Sequence, residues 1–258
     1  MEYYICAQTH TGLTRTNNED NLCINNKYMR SSEKGNWSVK MKAAQCVVAV
    51  CDGMGGEAFG EYASLCAVSN IAGCYEDILG ANKSEAEFVN MLILKINQQI
   101  CDEIRNRKAR IGSTIAMLCV NNGVANLYNI GDSRIYLFRN DTLTKLSNDH
   151  TIAQQKVDFG AITAEQAEKD AGKHKLTQHL GIFESEMIIQ AFHVQKQVLP
   201  DDIFLLCSDG LSDMVSDNDI QQILSDNEKH DDALERLIEA ALKNGGKDNV
   251  TVVLIQVK

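Results

Sequence analysis

CVVAVCDGMGG (residues 46–56) runs from an apolar segment straight into an acidic, glycine-rich turn. Two later apolar segments end in the same way, ANLYNI before GDSR (131–134) and IFLLC before SDG (208–210). Near the C-terminus the order is reversed, since GGKDN (245–249) precedes VTVVLIQV. Any one of these patterns usually indicates only a turn, because aspartate caps its own backbone and glycine accepts positive φ. Their repetition suggests that the strand ends also share a function.

A further acidic turn, RTNNED (15–20), joins the aspartates of the four motifs, Asp52, Asp132, Asp209 and Asp248. If the strands share one sheet edge, these carboxylates converge there. A hard divalent cation is then needed to offset their mutual repulsion. The sequence therefore predicts a metal site at that edge.

Composition limits the possible partners. The chain has 258 residues, 44% of them apolar, which suits one large domain or two small ones. A net charge of −10 and the lack of a Lys/Arg cluster argue against nucleic acid and anionic membranes. The nine cysteines include no Cys-x-x-Cys pair, so we expect free thiols and a reducing compartment. Without a visible signal peptide or spanning segment, the expected location is the cytoplasm.

Hydrophobic periodicity predicts both strands and helices. The predicted strands are 2–8, 20–26, 45–51, 114–120, 124–130, 134–139, 188–194, 203–207 and 250–257. The predicted helices are 57–79, 84–108, 217–226 and 231–243. Asp217 and Asp231 are the expected N-caps of the last two helices, and NNG (121–123) predicts a tight hairpin. Such a pattern favours antiparallel sheets with helices outside.

Two polar segments interrupt this pattern. Residues 27–42 are expected to form an exposed loop between strands, and 149–187 a helix-prone insertion beside the site. Inserted segments next to a site often control its selectivity.

Six ordered motifs resemble the metal-dependent protein phosphatase family (PPM, or type 2C). They are Arg15-x-x-Asn18-Glu19-Asp20, DGMGG (52–56), GST (112–114), GDSR (131–134), SDG (208–210) and DNVT (248–251). The resemblance implies an α+β fold, a four-layer α-β-β-α sandwich of two antiparallel sheets flanked by helix pairs. It also implies a single phosphatase domain over 1–258, with a flap at 149–187 that resembles bacterial members.

The implied activity is hydrolysis of phosphoserine and phosphothreonine by a hydroxide that bridges two metal ions. Two metals about 3.5–4 Å apart activate water and clamp phosphoryl oxygens, and oxygen-only ligands favour Mn²⁺ or Mg²⁺ over zinc. The resemblance assigns Asp52 as the bridging, catalytic ligand, and Asp209 and Asp248 as ligands of the first ion. The Gly53 carbonyl would reach the second ion.

The remaining implied roles are less direct. Glu19 and Asp20 would act partly through bound waters, and Asp132 would help to hold a third ion, so that the protein would take two to three ions. The alternative for Asp132 is a turn aspartate paired with Arg134. Arg15 would bind the substrate phosphate as a catalytic residue, and its alternative is a surface ion pair.

Met54 departs from the pattern of animal members, which often carry a histidine there as a candidate general acid. Methionine cannot donate a proton, although bacterial members commonly have it. Another group or a bound water must then protonate the leaving oxygen. His150 and His174 are possible substitutes, and neither is assigned the role.

Other functions stay open at this point. They are a catalytically silent binding protein, a small-molecule phosphomonoesterase and a metal-dependent nuclease, the last opposed by the acidic charge. A nucleotide switch is disfavoured because GMGG lacks the Gly-Lys-Ser/Thr ending of a P-loop. The expected partners are phosphoproteins modified by a serine/threonine kinase, and the expected state is a monomer.

Overall fold

The computed structural model describes residues 1–29, 37–55, 59–81, 85–226 and 230–258. The strands in these ranges are β1 (Tyr3–His10), β2 (Asn21–Ile24), β3 (Lys27–Tyr28), β4 (Trp37–Ala43), β5 (Cys46–Cys51), β6 (Gly53–Met54), β7 (Gly112–Ser113), β8 (Ile115–Asn121), β9 (Val124–Ile130), β10 (Arg134–Arg139), β11 (Thr142–Lys145), β12 (Phe192–Gln197), β13 (Ile203–Cys207) and β14 (Val250–Val257). The helices are α1 (Gly60–Gly73), α2 (Tyr75–Gly80), α3 (Glu85–Arg107), α4 (Ile152–Asp158), α5 (Ala164–Ala167), α6 (Asp209–Ser212), α7 (Asp217–Ser225) and α8 (His230–Lys243).

Two antiparallel sheets, each with six strands in the described part of the chain, form the centre of the molecule. Sheet A has the order β11-β10-β13-β14-β1-β4, and sheet B the order β12-β9-β8-β5-β2-β3. A two-stranded ribbon, β6 with β7, continues from the end of β5. Within the described ranges, every helix is too short or too polar to cross a lipid bilayer.

Alternation along the strands creates the layers, because successive side chains point to opposite faces of a sheet. In β5, Val48 and Val50 pack between the two sheets, together with Val253 of β14. The intervening Val47 and Ala49 pack on the other face against α1, α2 and α3. Helices α6, α7 and α8 cover the outer face of sheet A in the same way. The predicted α-β-β-α sandwich is therefore confirmed.

The predicted hairpin at 121–123 is also confirmed. Strands β8 and β9 pair with Asn121 opposite Val124. Asn122 and Gly123 connect them with φ values of 50° and 75°. Two central residues with positive φ match the twist of the flanking strands, and Asn-Gly tolerates this geometry well.

The prediction of an exposed loop over 27–42 was wrong. Strand β3 pairs with β2, and β4 pairs along β1 as the edge of sheet A. In β4, Val39, Met41 and Ala43 pack against the core between the sheets. The segment looks polar because its intervening residues point away from that core, as expected for a strand with only one covered face. Residues 30–36 lie outside the described ranges.

Several element boundaries differ from prediction. The helix predicted over 57–79 is divided at Cys74, whose ψ of 10° departs from α-helical geometry. The N-cap of α7 is Ser216, not Asp217, because the Ser216 hydroxyl accepts the hydrogen bond from the Asp219 N–H. Helix α8 begins at His230, which places Asp231 inside the first turn. The Asp231 side chain lies outside the described residues.

Other differences concern strands. The strand predicted at 188–194 lies at 192–197 as β12, and β11 (142–145) was not predicted. Both lie at outer edges of their sheets, where one neighbour is missing and the apolar alternation is weak.

Candidate active site

The predicted site residues come together in one cleft at the edge of the sandwich. Its volume is about 650 Å³, and every predicted site residue except Asp20 lines it. Antiparallel pairing explains the convergence, because the start of one strand lies beside the end of the next. Asn21 at the start of β2 faces Cys51 at the end of β5, and Val252 near the start of β14 faces Cys207 at the end of β13.

Asp52 is held by the GST motif. Its backbone N–H donates to Thr114 Oγ1 at 2.9 Å, and its carbonyl oxygen accepts from the Thr114 N–H, also at 2.9 Å. Thr114 Oγ1 lies 2.6 Å from Ser133 Oγ, in the turn that carries Asp132. A single buried threonine therefore links the turns of two predicted ligands.

Gly53 is required by close backbone packing. A Cβ at this position would lie 2.1 Å from the Gly60 carbonyl oxygen and 2.7 Å from that of Glu19. The Gly53 N–H donates to the Glu19 carbonyl at 3.2 Å. Only glycine allows the RTNNED turn, the DGMGG turn and the start of α1 to approach this closely.

Asp20 lies beneath the cleft rather than on its wall. It is 2% exposed, and its Oδ2 accepts hydrogen bonds from Ser208 Oγ at 2.6 Å and Thr251 Oγ1 at 2.7 Å. Burial raises the pKa of Asp20 to about 6, despite these two donors, which lower it. Asp20 thus connects three of the sequence motifs.

The other acidic residues favour a bound cation. Burial, followed by the charges of neighbouring carboxylates, raises the pKa of Asp52 and of Asp209 well above their ordinary values. For Asp132 the same effects, with Asp149 as the main neighbouring charge, raise the pKa to about 7. Asp209 Oδ1 is buried and has no hydrogen-bond partner among the described residues. An orphaned carboxylate oxygen among like charges fits a divalent cation, which would satisfy the oxygen and remove the repulsion.

Arg15 and Asp248 form an ion pair across the mouth of the cleft. Arg15 Nη2 lies 2.7 Å from Asp248 Oδ2, with the two side chains 52% and 36% exposed. The hydrogen bond to Asp248 raises the pKa of Arg15. The surface ion pair considered as the alternative for Arg15 is thus observed, and its partner is a predicted metal ligand. Contact with a phosphate stays a prediction.

The alternative pairing of Asp132 with Arg134 is not what the structure shows. Arg134 Nη2 lies 2.8 Å from Asp149 Oδ2, and both side chains are 7% exposed. The same guanidinium lies 3.1 Å from Glu168, the residue that follows α5. Arg134 therefore anchors the flap at 149–187 to strand β10, and Asp132 is left facing the cleft.

Three histidines near the site have different surroundings. His150 is part of the scaffold, because its Nδ1 accepts from the Gly131 N–H at 3.1 Å. His174, with Asp209 and Asp213, forms a group whose ligand atoms lie within 4.8 Å of one another. His179 also lines the cleft, and sequence reasoning missed it. Within LTQHLG (176–181) the residues that resemble the family are Leu176, Thr177, Leu180 and Gly181, so the motif did not single out His179.

The chain is similar in sequence to known phosphatases. The family model described as protein phosphatase 2C matches residues 33–254. The serine/threonine protein phosphatase PstP of Mycobacterium tuberculosis is 33% identical over 97% of this chain and 44% of its own length. The chain therefore spans less than half of that relative. The serine/threonine phosphatase stp of Listeria welshimeri is 30% identical, with 96% of this chain and 94% of its own length covered.

Solved structures of phosphatases also resemble this chain. The M. tuberculosis phosphatase PstP/Ppp superposes with a TM-score of 0.83 at 29% identity, covering 100% of both chains. A second structure, the catalytic domain of PstP in complex with two manganese ions, has a TM-score of 0.77 at 30% identity and also covers 100% of both chains.

Proposed function

The chain belongs to the protein phosphatase 2C family, and we propose that it is a metal-dependent serine/threonine protein phosphatase. The observation that carries this proposal is the cleft of converging carboxylates, in which Asp209 keeps a buried oxygen without a partner among the described residues. The names of its relatives support the same activity. When bound, divalent ions would supply an activated water and neutralise the phosphate charge.

We assign the ion-binding role to residues that line the cleft. Asp52 would be shared between two ions, Asp209 and Asp248 would hold the first, and the Gly53 carbonyl would reach the second. Oxygen donors of this kind suit Mn²⁺ or Mg²⁺. A related structure holds two manganese ions, which supports at least two ions here.

Further residues would complete the set. Glu19 would contribute through water at the rim of the cleft. Asp20 would act from below, by holding Ser208 and Thr251 in place. Asp132 and Asp209 would hold a third ion, and the raised pKa values of both carboxyls support a shared cation. Arg15 would leave Asp248 and bind the substrate phosphate, because guanidinium pairs with phosphate through two parallel hydrogen bonds.

The proposed substrates are phosphoserine and phosphothreonine in proteins modified by a serine/threonine kinase. The cleft, of about 650 Å³, is open to solvent, which suits a peptide segment better than an enclosed metabolite. A net charge of −10 makes nucleic acid an unsuitable partner. The nine free cysteines suit a reducing compartment such as the cytoplasm.

We further propose that residues 1–258 form one domain and that the protein is a monomer. The core between the sheets combines Ile5 from β1, Val48 from β5, Phe204 from β13 and Val257 from β14. Strands from both ends of the sequence thus share one core, which supports a single folding unit.

Hydrolysis of p-nitrophenyl phosphate and of a phosphothreonine peptide tests the proposal. Both substrates should be hydrolysed with Mn²⁺ or Mg²⁺, and extensive dialysis against EDTA should abolish turnover. Full activity in excess EDTA contradicts the metal requirement. Activity confined to small phosphomonoesters identifies a small-molecule phosphatase, and metal binding without any turnover identifies a silent binding protein.

A further inference from the structure

Under the proposed function, the cleft must supply a proton to the leaving group. A seryl or threonyl oxygen is strongly basic when its bond to phosphorus breaks, so protonation by a nearby acid lowers the barrier. Met54, which lies at the DGMGG turn, has no proton to donate. The structure places a histidine beside it.

His179 and Met54 border the same small space above Gly112. A Cβ on Gly112 would lie 2.9 Å from His179 Nδ1 and 3.1 Å from Met54 Cγ. The ribbon of β6 and β7 fixes one side of this space by pairing Met54 with Gly112. On the other side, Leu180 pairs with Ser113, through N–H donation to the Ser113 carbonyl at 2.8 Å. His179 is therefore held at the cleft by its own neighbour in the chain.

The ring of His179 is oriented by the backbone. Its Nδ1 lies 2.7 Å from the Leu180 carbonyl oxygen, which can only accept, so Nδ1 carries the hydrogen. Among the residues that the structure describes, Nε2 has no hydrogen-bond partner. A backbone contact of this kind at one nitrogen fixes the imidazole and leaves the other nitrogen for proton transfer.

The two other histidines near the cleft are less suitable. His150 uses Nδ1 to accept from the Gly131 N–H, and Gln178 Nε2 lies 3.2 Å from the same atom. The His174 side chain is 62% exposed, and its Nδ1 lies 3.4 Å from Asp213 Oδ2. It belongs to the acidic group around Asp209 rather than to the space beside Met54.

We propose that His179 is the general acid of this phosphatase. The imidazolium donates its Nε2 proton to the seryl or threonyl oxygen as the bond from that oxygen to phosphorus breaks. At the same time the oxygen of the attacking water forms its bond to phosphorus, and that water gives up one proton to solvent. The neutral imidazole then takes a proton from solvent, and the products are the alcohol and inorganic phosphate.

The test compares leaving groups that differ in their need for a proton. His179→Gln should lower kcat for a phosphothreonine peptide about 100-fold, within the range of general-acid catalysis. For p-nitrophenyl phosphate, whose leaving group departs as a stable anion, kcat should change less than about 3-fold because that anion needs no general acid. With aryl phosphates of graded basicity, kcat of the variant should fall more steeply with leaving-group pKa than that of the wild type.

Matched variants show whether the selective loss of kcat on the phosphothreonine peptide is specific to substitution of His179. His193→Gln, the same change at a histidine that stacks on Tyr128 away from the cleft, should leave both substrates unaffected. His179→Asn should reproduce the steeper slope, which a partly folded preparation cannot imitate because it lowers every rate by one factor. Equal losses on all substrates, no loss, or a selective loss in His174→Gln instead would each overturn the assignment. A wild-type enzyme inactive on every phosphate ester would instead refute the proposed function itself.

Discussion

At the scale of single residues, Asp209 and Asp248 differ in how their charges are balanced. Asp209 is surrounded by other carboxyls, and one of its oxygens is buried with no hydrogen-bond partner among the described residues. Asp248 is paired with Arg15 at 2.7 Å. Two residues with the same predicted role therefore have different effects on the stability of the metal-free protein.

Asp209→Asn should abolish turnover while stabilising the metal-free fold. The change removes a ligand but also a buried like charge. Relief of about 1 kcal/mol would raise Tm by about 2–4 °C for a domain of this size. Thermal melts in EDTA and assays at saturating Mn²⁺ measure the two effects. Asp248→Asn should be equally inactive with little gain in Tm, because it also removes the ion pair with Arg15. Wild-type turnover in either variant would refute the ligand assignment.

Arg15→Ala should separate phosphate binding from metal binding. We expect kcat/KM to fall roughly 30- to 1000-fold, which corresponds to the loss of about 2–4 kcal/mol from a charge-assisted, two-bond contact. Calorimetry should still show at least two bound ions, since the variant also frees Asp248 from its ion pair. Arg15→Lys should recover only part of the loss, because an ammonium group lacks the planar fork. Lost metal binding in Arg15→Ala would mean that the arginine is structural.

At the scale of elements, buried charge fixes the flap to the sandwich. Arg134 in β10 contacts Asp149 ahead of α4 and Glu168 at the end of α5. Lys173 Nζ lies 2.7 Å from Glu168 Oε2 and 2.9 Å from Asp213 Oδ1. Asp213 is the C-cap of α6. The flap is thus positioned against the same helix that carries Asp209.

Arg134→Met should lower the unfolding free energy by about 3 kcal/mol, because removing one partner leaves the charge of Asp149 buried. The loss stays near the lower end of the usual range because Lys145 lies 3.3 Å from Asp149. Denaturant titration measures it, and KM for a phosphopeptide should rise as the flap loosens. Glu168→Gln, which alters a partner that is 47% exposed, should cost less than about 1 kcal/mol. Equal losses in both variants would contradict the dominant role of the buried pair.

At the scale of the whole molecule, the acidic centre makes stability depend on pH and metal. The folded-state pKa values of Asp20 (about 6) and Asp132 (about 7) lie above the unfolded carboxyl value of about 3.9. Between about pH 4 and pH 7 these two carboxyls therefore bind more protons in the folded protein than in the unfolded chain. In that window the unfolding free energy of the metal-free protein should fall as the pH rises.

Metal should reverse this trend. Binding at 100 times Kd adds about 2.7 kcal/mol, and the gain should increase with pH because deprotonated carboxylates are the ligands. Melting curves from pH 5 to pH 8, with EDTA and with Mn²⁺, test both statements. Asp77→Asn, at an exposed position on α2, should follow the wild-type curve. A metal-free protein that becomes more stable from pH 5 to pH 7 would contradict the proposed charge repulsion.

The amino-acid sequence was sufficient to predict the family, the layered fold and the set of strand-end acids. These features depend on local signals: continuous apolar runs at β5 and β14, Asn-Gly at the β8–β9 hairpin, and Asp beside glycine where strands end. Six motifs in a fixed order along the chain together resemble those of the phosphatase family. Each of these signals acts within a few residues of the chain, and the resemblance carried by the six motifs implied the family and its four-layer arrangement.

The folded structure was needed to establish which side chains meet. Three contacts join residues from separate elements. They are the ion pair of Arg134 with Asp149, the ion pair of Arg15 with Asp248, and the position of His179 beside Met54. Strand β4 likewise became visible only through its pairing with β1, since an edge strand with one covered face carries a weak apolar signal. Contacts over long sequence separation follow from strand register and sheet packing, and single-sequence periodicity contains neither.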